Sequence, residues 1–239
     1  MENELLGQTV VLIGGSSGIG LATSRRARAE GAAVILTGRD HERLKQAASE
    51  VDASEVAAFD ASDPDAMADF FRQLPPIDHV LVTAGRPHYG RIIDLEPQQM
   101  RDALSDHPML LYSVARNAPG KVRPGGTLLM MGGTGGRRAG LGTTSVVTIS
   151  LPAQVATLAL EVAPIRVNLI AAGFVDTPLS ADLLGDDLEK RRQELRDKLP
   201  IGRVIGPDDI AALAIHLMTN SALTGATFDI DGGQSLVGT

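Results

Sequence analysis

Seven short runs of aliphatic and β-branched residues recur along the chain, with a helical pattern between each run and the next. The runs lie at 9–13 (TVVLI), 33–37, 55–59, 79–83, 127–131, 166–170 and 227–230. They are continuous rather than alternating, which is what strands show when both faces of a sheet are covered. The helical segments fall at 19–30, 42–50, 64–72, 98–115, 152–162 and 208–218. Gly31 predicts a left-handed residue closing the first helix, and Asp63 before Pro64 predicts an N-cap with proline at the first helical position. The alternation predicts a single doubly wound, Rossmann-type α/β domain over all 239 residues, with parallel strands and helices on both faces.

Composition narrows the function classes. Lys and Arg total 22 against 29 Asp and Glu, a net charge of −7, which argues against a nucleic-acid partner. With no cysteine, disulfides, thiolate metal sites and a cysteine nucleophile are excluded. No His, Asp and Glu cluster has metal-ligand spacing on one element, so no metal is expected. The start, Met1-Glu2-Asn3-Glu4, is acidic where a secretory leader would be basic. The most apolar stretch, 146–162, is interrupted by Thr148, Ser150, Pro152, Gln154 and Thr157, so no bilayer span is expected. A cytoplasmic protein without membrane partners is the expectation.

The first strand runs directly into Gly14-Gly15-Ser16-Ser17-Gly18-Ile19-Gly20 and then a helix. A glycine turn in that position lets backbone N–H groups and the helix N-terminus approach a diphosphate. Ser16 and Ser17 add hydroxyl donors. The second strand ends Thr37-Gly38-Arg39-Asp40, where dinucleotide sites place a carboxylate for the ribose 2′-hydroxyl. Gly38 has none, and Arg39 offers a planar cation suited to a phosphate. This predicts NADP(H) in preference to NAD(H). Asp40 remains an alternative for NAD(H) if the loop turns by one residue.

These residues resemble the short-chain dehydrogenase/reductase family along essentially the whole chain. The glycine turn is similar to the family's TGxxxGIG, with Ile13 where threonine is usual. The resemblance implies that Asp60 and Ala61, after the third strand, meet the adenine ring. Thr83-Ala84-Gly85 resembles the NAG closing the fourth strand, with threonine for asparagine. Arg166-Val167-Asn168 is the family's RVN, and Gly173-Phe174-Val175 with Thr177 resembles its nicotinamide-side loop. Ile201-Gly202-Arg203, Pro207 through Ile210, and Asp231-Gly232-Gly233 resemble its C-terminal signatures. A seven-stranded parallel sheet, a nicotinamide dinucleotide, a small-molecule substrate and a homodimer or homotetramer are implied.

The catalytic signature departs from that pattern. Family members donate a proton from a tyrosine whose pKa is lowered by a lysine four residues later, aided by a serine and an asparagine. Between Lys121 and Lys190 this chain has neither tyrosine nor lysine. By position, Thr144 falls in the tyrosine slot, Thr148 in the lysine slot, Thr134 near the serine slot and His107 near the asparagine slot. Threonine hydroxyls are poor proton sources at neutral pH, whereas an imidazole titrates near it. Pro152 predicts a helix starting near Ser150, with Ser150 as N-cap and residues 144–148 in a loop. The Gly-rich run 132–142 is expected to make that region loose.

Tyr112 and Arg116 imitate the missing pair on the wrong helix and are read as packing. Residues 177–200 form a charged insertion at the ligand edge, either a substrate lid or a solvated helix. His88 and Tyr89 belong to the loop after the fourth strand, as pocket lining or as a cap. Arg137 and Arg138 follow the fifth strand, where an anionic substrate is one reading. Two functions stay open. One is an oxidoreductase acting on a small carbonyl-like or activated acceptor with an altered proton relay. The other is a non-catalytic dinucleotide-binding sensor or partner subunit.

Overall fold

A computed structural model describes residues 3–87, 91–137 and 141–238. Its strands are β1 (Thr9–Ile13), β2 (Ala33–Gly38), β3 (Glu55–Ala58), β4 (Ile77–Val82), β5 (Val122–Gly133), β6 (Arg166–Ala172) and β7 (Thr227–Ile230). The helices are α1 (Gly18–Ala29), α2 (His41–Val51), α3 (Pro64–Gln73), α4 (Pro97–Asn117) and α5 (Thr143–Glu161). They continue with α6 (Pro178–Leu184), α7 (Leu188–Lys198), α8 (Pro207–Thr219) and the short α9 (Gln234–Val237). The seven strands form one parallel sheet in the order β3-β2-β1-β4-β5-β6-β7. That order reverses between β1 and β4, which opens a crevice at their carboxyl ends.

Side-chain alternation builds a core on each face. Val11 and Ile13 of β1 join Phe71, Leu111 and Val155 from α3, α4 and α5. Val10 and Leu12 point the other way, to Ala27, Leu44, Ile210 and Leu217 from α1, α2 and α8. A strand packed on both sides has no polar face, hence the unbroken apolar runs. The predicted punctuation is present: Gly31 has φ +88°, and Asp63 accepts from the Asp65 and Ala66 N–H groups ahead of Pro64.

The expected start of α5 is overturned. The helix begins at Thr143, with Gly142 before it, and carries Pro152 in its interior. Ser150 is no cap; its hydroxyl donates to the Val147 carbonyl at 2.8 Å. The reason lies in the glycines taken as a source of looseness. A methyl group on Gly136 would come within 2.8 Å of the Ile149 nitrogen, and one on Gly132 within 3.0 Å of Leu151. Gly132 at the end of β5 and Gly136 just after it therefore lie directly on α5, and this packing, with buried Leu151 and Val155, outweighs the hydrogen bond that Pro152 cannot donate. By length and composition α5 is apolar enough to cross a membrane, and a third of its apolar window is buried here.

A buried histidine sets an acid limit on the fold. His79 on β4 donates from Nε2 to Gln8 Oε1 at 2.6 Å, leaving Nδ1 buried without a partner. Burial pushes its pKa down to about 4; Asp78 opposes the shift and Arg166 adds to it. The unfolded chain then binds a proton that the native chain refuses between pH 6.5 and about 4. Stability contributed by the neutral imidazole is complete above pH 6.5 and is lost as pH falls through that window. Urea denaturation should weaken by roughly 3 kcal/mol over it. His79→Gln should remove most of that slope; an unchanged slope places the titration elsewhere.

Candidate functional site

Five loops meet at the carboxyl edge of the sheet: the glycine turn after β1, and the segments following β2, β3, β4 and β6. The glycine turn is wound closely enough that only glycine fits at two of its positions. A methyl group on Gly14, at φ +101°, would meet the Ala84 nitrogen at 2.7 Å. One on Gly20 would meet the Gly14 carbonyl oxygen at 2.3 Å. Gly15 N–H donates to the Thr37 carbonyl at 2.9 Å, which ties the turn to β2. Thr83 Oγ1 donates to the Gly14 carbonyl at 3.0 Å and fixes it to β4.

Ser17 is the N-cap of α1, yet its side chain makes no capping bond. The N–H groups of the first helical turn therefore lack a side-chain acceptor, and the hydroxyl is not spent on them. Gly18, at φ +52°, sits under Thr177, whose Cβ is 3.6 Å from where a methyl would be. Ser16 Oγ lies over Gly38 at 3.2 Å from the corresponding position. Arg39 is exposed at the same edge. Asp40 is committed elsewhere: its carboxylate caps α2, accepting from the Glu42 and Arg43 N–H groups at 3.0 Å each. Backbone and hydroxyl donation from Ser62 holds the Asp60 carboxyl below the usual range, with a smaller contribution from Arg39. Ala61 follows it, packed against the core.

The loop after β6 is held from beneath. Gly173 is pressed against Asp231 and Gln234, and Phe174 N–H donates to Gln234 Oε1 at 2.8 Å. Val175 pairs with Ile205, and Asp176 N–H donates to the Ile205 carbonyl at 2.9 Å. Arg192 of α7 grips the Asp176 carboxylate with two hydrogen bonds, at 2.8 and 2.9 Å. The charged insertion is thus two helices joined by a short turn, with α7 docked through buried Leu195 and Leu199 as well as this ion pair. Thr177 caps α6 by accepting from Ser180 N–H.

The four slot residues lie around β5. His107 of α4 is half-buried and donates from Nε2 to the Met131 carbonyl at 2.6 Å, so it is not a surface imidazole. Burial lowers its pKa, and that hydrogen bond opposes the shift. Its Nδ1 faces Gly85, 3.2 Å from where a methyl there would be. Thr144 and Thr148 share α5, one turn apart, with the Thr148 hydroxyl donating to the Thr144 carbonyl at 2.8 Å. The Thr134 hydroxyl is buried beside Asp231, whose carboxyl it helps to hold low. His88, Tyr89 and Arg138 lie outside the described residues, as does the side chain of Arg137. Tyr112 and Arg116 pair with each other on an exposed part of α4, at 2.7 Å.

A family model described as enoyl-(acyl carrier protein) reductase matches residues 14–235. A short-chain dehydrogenase/reductase of Stachybotrys chlorohalonatus is 30% identical, over 96% of this chain and 98% of its own. The chain belongs to the short-chain dehydrogenase/reductase family. Another relative, the NADP-dependent (R)-specific alcohol dehydrogenase of Lentilactobacillus kefiri, is 28% identical over 98% of this chain and 99% of its own. The crystal structure of BdcA in complex with NADPH superposes with a TM-score of 0.85 at 28% identity, covering 96% of this chain and 95% of that one.

Within that family fold, sequence reasoning placed the glycine turn and the strand-end loops at one edge, where they are found. It missed Thr37, Gln234, and the Asp176–Arg192 pair. Gln234 directly follows Asp231-Gly232-Gly233, and that adjacency was its one sequence signal. The RVN motif is structural. Arg166 makes five contacts to main-chain carbonyls, one from Nε, three from one terminal nitrogen and one from the other, and Asn168 bridges Leu223 and Ala226.

Proposed function

We propose that the chain is an NADP(H)-dependent oxidoreductase that reduces a small carbonyl-like or activated acceptor without the family's tyrosine and lysine. The observation that carries this is the tightly wound glycine turn with an uncapped helix start behind it. Its unspent N–H groups and the Ser16 and Ser17 hydroxyls suit a diphosphate. Gly14, Gly18, Ile19 and Gly20 give that diphosphate room to approach. Arg39 takes the 2′-phosphate, a role that the commitment of Asp40 to α2 favours. Asp60 and Ala61 border the adenine, and Thr83, Ala84 and Gly85 form the floor between the two halves. Gly173, Phe174, Val175 and Thr177 hold the nicotinamide side. The relatives with NADP or NADPH in their descriptions support the same choice.

When bound, the dinucleotide supplies a hydride. The chain's own groups orient the acceptor: His107 of α4 presents Nδ1, and Thr144 and Thr148 stand on α5. Residues 177–200 act as the lid, fastened by Arg192 to Asp176. The exposed apolar side chains of Met109 and Tyr112 on α4, and of Val146, Ile149 and Leu160 on α5, suit burial against a second copy. A homodimer or homotetramer is proposed on that ground.

Titration with NADPH and NADH, followed by nicotinamide fluorescence, tests the cofactor reading. Arg39→Ala should weaken NADPH by about 10–100-fold, the loss of one or two charge-assisted hydrogen bonds, and NADH far less. Equal losses would show the arginine idle, and no binding of either would overturn the reading. Binding without turnover of any acceptor would point to a sensor or partner subunit instead.

A further inference from the structure

We propose that the acceptor is a cationic imine, an iminium or protonated C=N group, in preference to a neutral ketone. The proposal rests on the nicotinamide-dinucleotide reading above and narrows its substrate.

Among the described residues, two of the polar groups at the catalytic slots, Thr148 and His107, have already spent their protons. Thr148 gives its hydroxyl hydrogen to the Thr144 carbonyl at 2.8 Å, with Ser145 O at 3.3 Å as a second acceptor. His107 gives its Nε2 hydrogen to the Met131 carbonyl at 2.6 Å. In the neutral imidazole, Nδ1 is then a bare lone pair, and it faces the space left open by Gly85. The Thr134 hydroxyl is buried beside Asp231, and a threonine hydroxyl is too weak an acid to serve as proton source at neutral pH. Arg86, beside Gly85, and Asp106, beside His107, are both exposed. The slots thus offer a lone pair on His107 and weakly acidic threonine hydroxyls where the family presents a tuned proton donor.

The electron balance follows. Hydride addition to a ketone forms the C–H bond and leaves the former π pair on oxygen as an alkoxide, which needs a proton. Addition to an iminium forms the same C–H bond while the π pair moves onto nitrogen and cancels its charge. No proton enters. A protonated imine also brings an N–H donor of its own, complementary to the His107 Nδ1 lone pair.

The test uses the purified full chain with NADPH, following loss of nicotinamide absorbance at neutral pH after subtraction of the enzyme-free rate. The probes are the N-methyl dihydroisoquinolinium cation, dihydroisoquinoline as its protonatable analogue, and α-tetralone as the ketone of similar shape. The cation should be turned over with kcat/KM at least about 100-fold above the ketone, the lower range of what general acid catalysis contributes when present. His107→Phe should raise KM for the protonatable imine about tenfold more than for the N-methyl cation, which has no N–H to donate. Comparable reduction of the ketone would overturn the proposal, and so would turnover of none of the three with NADPH bound. Loss of turnover in Tyr89→Phe would also overturn it, by revealing a phenol as proton source. Failure to bind NADPH, seen separately in the titration, overturns the reading on which the proposal stands.

Discussion

Arg166→Met is expected to lower stability by about 3–5 kcal/mol in urea denaturation, since it leaves several buried carbonyls without a donor at roughly 1–3 kcal/mol each. Arg166 sits at the first position of β6 and is almost fully buried. Its Nε donates to Gly125 O at 3.1 Å. The two terminal nitrogens donate to Leu217, Met218, Asn220 and Leu223, at distances from 2.7 to 3.3 Å. Leu217 and Met218 belong to the last turn of α8, whose final carbonyls have no helical partner and carry the negative end of the helix dipole. One guanidinium thus closes a helix and binds it to two strands. Methionine fills some of the volume but leaves several buried carbonyls without donors. Arg166→Lys should recover only part of the loss, because a single ammonium cannot span this fork. A Met variant within 1 kcal/mol of the native chain (a rough bound for surface substitutions) would show that water replaces the cap.

Gly20→Ala should abolish most dinucleotide binding while leaving the sheet intact. Its new methyl group would lie 2.3 Å from the Gly14 carbonyl oxygen and 2.8 Å from Thr83 Oγ1. Neither neighbour yields easily: one is backbone, and the other is hydrogen-bonded to that same backbone oxygen. The turn must open, and the N–H groups heading α1 move off the diphosphate. Loss of two hydrogen bonds to a charged group, at roughly 1.5 kcal/mol each, corresponds to a Kd for NADPH about 100-fold weaker. Nicotinamide fluorescence measures the affinity, and far-ultraviolet circular dichroism checks the fold. A folded variant that binds NADPH normally would move the diphosphate out of this turn.

Elements whose causes are local were legible in the sequence. The runs 9–13 and 227–230 match β1 and β7 to the residue, and Asp63 and Gly31 mark helix ends as composition suggests. These depend on periodicity and on the backbone preferences of single residues. The start of α5 was illegible because proline and glycine were weighed by local preference, whereas the close packing of Gly132 and Gly136 on the helix decides. In the site, the turn and strand ends were readable because glycines and strand termini are sequence features. The Asp176–Arg192 grip and the Gln234 support join residues 16 and 60 positions apart, and no periodicity encodes such pairs. The tautomer of His107 likewise follows from a carbonyl on β5 that only the folded chain brings near.

The continuity of α5 past Pro152 bears on how such a reaction centre changes over evolutionary time. Positions 144 and 148 occupy successive turns of one rigid rod, the spacing at which two side chains on a helix become neighbours. Swapping one chemistry for another there asks nothing new of the main chain. On the proposed placement of the acceptor, exchanging the side chains at these two positions alters the reagent and leaves the course of the helix unchanged.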